Sequence, residues 1–433
     1  MPAFSAGAAQ LDITPIIGTM MPTLFNPKTS TGIHDPLYAK ALVLRAGDVA
    51  VAMVCMDQLV VPTATVIAAR EIVAERCGIP ADHVLISATH THSTAGPGGR
   101  FAVDLEPPEY HEWLQHRAAD VVTMALGRLQ PAKLGRGTGS LPQHVHNRRY
   151  LMKDGSVKTN PGRQNPDVVE PAGPVDPEVV AMVVLDEADR PIAAVGNYAL
   201  HYVGGTVPGE FSADYYGAVN RHLNRLRGAE FPVLWTNGCS GDINNIDVFA
   251  APVKRKPYEQ MDLVAREAAE EAVRVWDGMT FTDDVEMAVL VDRFDVPLRR
   301  PTAEQLAQAE KLYAKKEEGR SKEWVLAEEM VLSSRMPSPE PTEVQVTRIN
   351  DMAVVALPGE IFCQFGLDVK AQSPFDTTMV VGLANSYMGY IPTPDAFDGG
   401  GYETWLARSS RCAPEVGPML VERSVGLLRR LVE

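Results

Sequence analysis

Cysteine, positive charge and long apolar runs are all scarce in this chain, and each scarcity removes a class of function. Its five cysteines (Cys55, Cys77, Cys239, Cys363 and Cys412) are scattered, odd in number and form no C-x-x-C pair. That argues against a disulfide framework and leads us to expect reduced thiols and a cytoplasmic location. Lys and Arg total 40 against 55 Asp and Glu, so the net charge is −15 and the pI ≈ 5.2. Such a surface repels phosphate backbones and anionic lipid, which excludes nucleic acid and membranes as expected partners. Apolar runs such as Val49 to Met56 stop early, here at Asp57, far short of the ~20 residues a spanning helix needs. The stretch from Met1 to Thr19 already holds Asp12 and Pro15 and has no basic start before an apolar stretch. It does not read as a secretion signal.

What is present is ordinary globular composition, 45% hydrophobic and 22% charged, with 34 Gly and 33 Pro to supply turns. Three segments share one pattern, two β-rich runs flanking a turn, the second run ending in a polar residue. Tyr38 to Arg45 and Val49 to Met56 flank Gly47-Asp48 and deliver Asp57. Val179 to Leu185 and Pro191 to Leu200 deliver His201, and Glu343 to Ile349 with Met352 to Leu357 deliver Glu360. Further β-rich runs, Val84 to Ser87, Pro232 to Trp235 and Met379 to Leu383, also stop at polar or turn residues. Strand ends are where α/β sheets gather ligands, so six strands are expected to empty into one region.

Helical periodicity covers Pro62 to Cys77, Tyr110 to Leu129, Ser212 to Leu226, Tyr258 to Trp276 and Val416 to Val432. A further helix is expected from Thr302 to Leu332, opened by a capping box between Thr302 and Gln305 and carrying a solvated Lys/Glu face. Leu151 to Pro174, rich in Gly, Pro and Asn, reads as a long ordered loop. No repeat of solenoid period is visible. The expectation is an α/β fold with mixed β-sheet layers flanked by helices, a single domain over 1–433 with a helical embellishment at 292–340.

Thr89-His90-Thr91-His92 is the strongest local signal, because two imidazoles two apart on extended chain point the same way. They share a site, or they are satisfied histidines in a polar turn. His201 and Glu360 are each ambiguous alone. Together with His90 they supply the nitrogen and oxygen donors that a zinc ion takes, with a position left for water. Asp57 and Asp242 are each either a partner orienting a ligand or a local cap. His34, His144 and His146 are read as structural.

Several motifs in order resemble landmarks of the neutral ceramidase N-terminal domain. They are Gly7 to Pro15, Gly32-Ile33-His34, Leu85 to Ser93, Asn147-Arg148, Asn197 to His201, Gly241-Asp242, Leu357 to Glu360 and the pair Tyr390/Tyr402. The resemblance implies one zinc ion per chain held by His90, His201, Glu360 and Tyr390. It implies catalytic or substrate-binding roles for His92, Arg148 and Tyr402, chemically apt for proton transfer and oxyanion stabilisation.

Two departures shape the expectation. The family carries a serine after Gly-Asp-Val where this chain has Asn244 after Gly241-Asp242-Ile243. An amide cannot serve as that nucleophile, which favours a metal-bound water as the attacker and leaves Asn244 to hydrogen-bond substrate. The family is also longer, with a C-terminal β-sandwich and usually a secretion signal, neither of which is expected here. The leading expectation is therefore zinc-dependent cleavage of a C–N amide bond in a small soluble acyl-amide or cyclic amide. A lactone or ester hydrolase on the same site is the first alternative, and a non-catalytic ligand-binding protein on a hydrolase scaffold the second.

Overall fold

The computed structural model describes residues 4–21, 28–95, 108–315 and 321–433. Two sheets lie at its centre. The larger is formed by β1 (Phe4–Asp12), β2 (Tyr38–Ala46), β3 (Val49–Met56), β4 (Val84–Ala88), β5 (Gln130–Ser140), β6 (Glu178–Asp186), β7 (Pro191–Tyr198) and β8 (Val233–Asn237). Their spatial order is β8-β7-β6-β5-β1-β2-β3-β4, and a ninth short strand, Phe281–Thr282, pairs with β5. The smaller sheet holds β9 (Met287–Val296), β10 (Glu340–Ile349), β11 (Met352–Ala356) and β12 (Thr377–Val381), in that order.

The three hairpins expected from the turn signals are all present, and each belongs to a larger unit. In each unit an antiparallel hairpin is followed by a helix and then by a strand parallel to the hairpin's second strand. The first runs β2-β3, α1 (Thr63–Cys77), β4. The second runs β6-β7, then α3 (Asp214–Arg227), the helix that follows α2 (Pro108–Leu126), and β8. The third, which follows α4 (Glu259–Asp277), α5 (Ala303–Tyr313) and α6 (Lys322–Ser334), runs β10-β11, α7 (Cys363–Gln372), β12. The helix is required because a parallel return needs a crossover.

Strand alternation decides the layering. Leu42, Leu44, Met53 and Leu85 face the smaller sheet and pack with Val354, Met379 and Val381. Their neighbours Ala41, Val43, Val54 and Ile86 face outward under Val66, Val73 and Leu114 of α1 and α2. Helices α3 and α4 cover the other half of the large sheet through Val219, Leu223, Val264 and Ala268. Helix α8 (Val416–Arg430) and α7 cover the smaller sheet through Leu420 and Val369. The result is helix, sheet, sheet, helix, with strands that are apolar on both faces.

Backbone bonds join the strand ends of the three units. Thr89 N donates to Met56 O, Ala88 N to Leu383 O, Gly382 N to Asn237 O, Gly238 N to Tyr198 O and Leu383 N to Gly359 O, all at 2.9–3.1 Å. The six strands do converge.

Two expectations are corrected. The stretch 151–174 is not a plain loop, because Arg149–Met152 pairs with Val157–Thr159 and Val168–Pro171 in a small sheet. The segment after Thr302 holds two helices, α5 and α6, with 316–320 outside the described residues; the Thr302/Gln305 capping box is formed as expected. Within 292–340, Asp292–Val296 belongs to β9 and Glu340 to β10. Strands β1, β5 and β9 and helix α7 were not anticipated from periodicity.

Candidate metal centre

His90 leaves the end of β4 with φ 73°, a left-handed conformation unusual for a side chain with a Cβ. This turn aims its ring into the junction of the strand ends. Its Nδ1 lies 2.7 Å from the Leu59 carbonyl oxygen, so Nδ1 carries a proton and the ring turns Nε2 toward the junction. That Nε2 lies 3.3 Å from Glu360 Oε2. Both atoms are buried and neither has a hydrogen-bond partner. A protonated ring would make this contact an ion pair, whereas a neutral one would set two acceptors face to face in a dry site, which a cation between them would relieve.

Glu360 and Tyr390 are neighbours because their segments form a two-residue parallel ladder, Glu360 opposite Tyr390 and Ile361 opposite Ile391. The approach is tight. A Cβ on Gly359, whose φ is 132°, would meet Gly389 O at 2.6 Å, and one on Gly241 would meet Glu360 O at 2.3 Å. The Tyr387 hydroxyl donates to Glu360 Oε1 at 2.8 Å. Burial alone pushes Glu360 up, but His90, Tyr390 and Arg148 outweigh it and leave the carboxyl at about 2. Burial and the Glu360 charge push the Tyr390 phenol well above its ordinary range. Only a nearby cation would reverse that.

His201, just past β7, is buried, and its Nε2 lies 3.0 Å from His92 Nε2. Its Nδ1 lies 3.0 Å from Arg148 Nη1, and the ring also meets the Ser240 backbone. Burial, then the Arg148 charge, holds this imidazole well below its ordinary range. His92 is held by its backbone N–H, which donates to Asp214 Oδ2 at 2.8 Å. It keeps an edge open to solvent although dense protein surrounds it, and that surrounding protein followed by His90 lowers its pKa. The ligand atoms of His90, His92 and His201 lie within 4.8 Å of one another, a group that could hold a metal ion.

Arg148 backs this cluster and is buried. Its Nε donates to Glu403 Oε1 at 2.8 Å and its Nη2 to Gly241 O. The guanidinium carbon stands 5.3 Å from the Tyr390 ring and 5.0 Å from the Tyr402 ring, which themselves meet edge to face at 5.7 Å. Burial works against the Arg148 charge, but Tyr402, Tyr390, Glu403 and Glu360 outweigh it and keep the group cationic. Asn244 is the outlier. Its strand pairs with His146–Asn147, its Nδ2 donates to Asn160 Oδ1 at 2.8 Å, and its Oδ1 is buried without a partner.

The side chains of the remaining sequence candidates have partners of their own. Asp57 accepts from Tyr38 N at 2.9 Å and forms a buried ion pair with Lys40 at 3.2 Å, so it fastens a strand end. Asp242 accepts from Cys363 N and Asn147 Nδ2. His34 stacks on Tyr258 with ring centroids 3.5 Å apart, and His144 pairs with Glu267.

No family model matches the chain, and no curated protein matches it by sequence. Solved structures do match. The neutral ceramidase from Pseudomonas aeruginosa superposes with a TM-score of 0.76 at 19% identity, over 99% of this chain and 75% of that one. A ceramidase described as complexed with C2 gives 0.74 at 16% identity, over 99% and 76%. The chain has a neutral-ceramidase-like fold. In that fold the mixed sheet flanked by helices is accounted for nearly end to end, while about a quarter of each longer chain lies outside the match.

Sequence reasoning passed over several residues of the site. Glu403 is fully buried and holds Arg148, Arg149 and Thr159 through both its oxygens. Tyr387 and Asp214 likewise fix Glu360 and His92. No local pattern marks them, because each meets its partner from more than 25 positions away.

Proposed function

We propose that the chain is a zinc-dependent hydrolase that cleaves the C–N bond of a small soluble acyl-amide or cyclic amide. The observation that supports the reading is the buried meeting of His90 Nε2 and Glu360 Oε2, neither hydrogen-bonded, with His201 and His92 beside His90 and Tyr390 beside Glu360. His90, His201, Glu360 and Tyr390 would hold the ion, and two imidazoles with two oxygen donors suit zinc. When bound, zinc supplies Lewis acidity and lowers the pKa of water to ~7.

The chain's own residues supply the rest. Arg148 keeps its charge and is clamped by Glu403 and Gly241 O, so it donates to a carbonyl oxygen as negative charge develops there. Such a preset donor needs no reorganisation during reaction. Tyr402, stacked against Arg148, keeps its O–H and offers a second donor. His92 is neutral and solvent-accessible, so it takes a proton from the attacking water and returns one to the leaving nitrogen. Asn244 contacts substrate through its unpartnered Oδ1. The fold likeness raises amide chemistry above its rivals, although an ester or lactone passes through the same oxyanion.

A panel of N-acyl amides, cyclic amides and matched lactones, offered to zinc-loaded protein and to Arg148→Ala, tests this. Amide turnover that falls ~10²–10³-fold in the variant supports the reading. Turnover of lactones alone would replace it with the esterase reading. Tight zinc with no turnover of either class would contradict catalysis.

A further inference from the structure

A recess is lined by chain neighbours of the candidate centre's residues. Three segments that carry candidate site residues also line it: His146 lies two residues before Arg148, Tyr202 directly follows His201, and Asn245 directly follows Asn244. Val203 N donates to Asn245 Oδ1 at 3.1 Å and ties two of these walls together. The cleft measures ≈ 640 Å³, ample for part of a small molecule.

Its charge is opposite to that of the molecule. Arg163, Arg255 and Lys256 line it against the one carboxylate of Asp247, in a chain whose net charge is −15. Among the described residues, none of these three side chains is paired with a carboxylate. Arg163 donates to the Asp247 backbone carbonyl at 3.2 Å, and Arg255 to the Gln260 side-chain oxygen at 2.5 Å. Cations left unpaired around one concavity attract an anion into it.

An independent feature points the same way. Tyr202 is 1% exposed, lines the cleft and has a buried hydroxyl without a hydrogen-bond partner. The backbone bends closely round it. Gly204 and Gly205 have φ 79° and 75°, and a Cβ on Gly205 would meet Tyr202 Oη at 3.4 Å. A buried donor with no acceptor is costly, and a ligand oxygen reaching it would relieve that cost.

We propose that this cleft is an anion subsite that takes the carboxylate end of the substrate, so that the amides this chain cleaves are N-acyl-amino-acid-like rather than neutral. The inference rests on the hydrolase reading for the word substrate, but the cleft and its charge do not. Arg163 and Arg255 supply charge-assisted donors to the carboxylate, and Tyr202 supplies a neutral one.

The test separates binding from turnover. Calorimetry at constant ionic strength compares N-acetylglycine with its neutral amide, N-acetylglycinamide, on metal-stripped wild type, R163A/R255A and Tyr202→Phe. R429A/R430A removes two charges from the last helix and reports the general charge effect. The wild type should prefer the carboxylate by about tenfold or more. R163A/R255A should lose that preference, Tyr202→Phe should weaken it several-fold and R429A/R430A should keep it. Equal binding of the two probes to wild type would overturn the subsite, as would a preference that survives in both R163A/R255A and Tyr202→Phe. If the preference holds while no amide is turned over by zinc-loaded protein, the subsite stands and the hydrolase reading falls.

Discussion

At the scale of single residues the site is a set of donors fixed from behind. His90 is oriented by the Leu59 carbonyl, Glu360 by Tyr387 and Arg148 by Glu403. Glu403→Gln keeps the shape but weakens the clamp on Arg148. We expect it to lower kcat by ~10-fold or more while KM moves little, and an effect confined to stability would show that the clamp is merely structural. The histidines also set a pH dependence. His201 is held well below its ordinary value, and His92, His144 and His146 are lowered too. Between each lowered value and ~6.5 the unfolded chain binds protons that the folded chain does not, so stability rises with pH there. Glu360, at about 2, adds stability above its unfolded 4.5 that is lost as pH falls toward 2. Asp214, raised to about 6, works in the opposite direction above 3.8. Metal-stripped protein should melt at progressively lower temperature as pH drops from ~7.5 to ~5.5, and His201→Asn should flatten that slope. A wild-type profile that is level over this range would contradict the assignment.

At the scale of elements, the strands that lead to His90, His201 and Glu360 were legible and several that only hold the sheets together were not. The hairpins β2-β3, β6-β7 and β10-β11 announce themselves through turn residues and continuous β-rich runs. Strand β5, Gln130–Ser140, carries three glycines that pack against Phe281, Val275 and Glu271, which hides its strand character. The threefold recurrence of hairpin, helix and parallel strand was invisible because it is a repeat of geometry, with no shared residues to reveal it. Tyr390 came only from family resemblance, and Tyr387 and Glu403 from the structure, since convergence of distant segments leaves no spacing to read. The capping box was legible because it is local. Thr302→Ala removes its acceptor for Gln305 N and should cost ~1 kcal/mol in chemical denaturation, whereas a change below ~0.3 kcal/mol would mean that α5 contributes little to the cooperative fold.

At the scale of the whole molecule, the site exists because two sheets pressed face to face bring three strand-end clusters to one place. The apolar contact between the sheets therefore supports function from a distance. Leu42 is fully buried in that contact, so Leu42→Ala should destabilise the fold by ~2–5 kcal/mol by denaturant midpoint. Ile16→Ala, at 83% exposure, should change stability by less than ~0.5 kcal/mol. No described helix is long and apolar enough to cross a membrane. The central claim, a metal held by His90, His201, Glu360 and Tyr390, is tested most directly by elemental analysis of the purified protein beside His90→Ala and Glu360→Ala. The account predicts about one zinc per chain in the wild type and loss in both variants, which should remain folded by circular dichroism. A wild type that stays free of metal after zinc is supplied, or variants that keep their zinc in full, would contradict it.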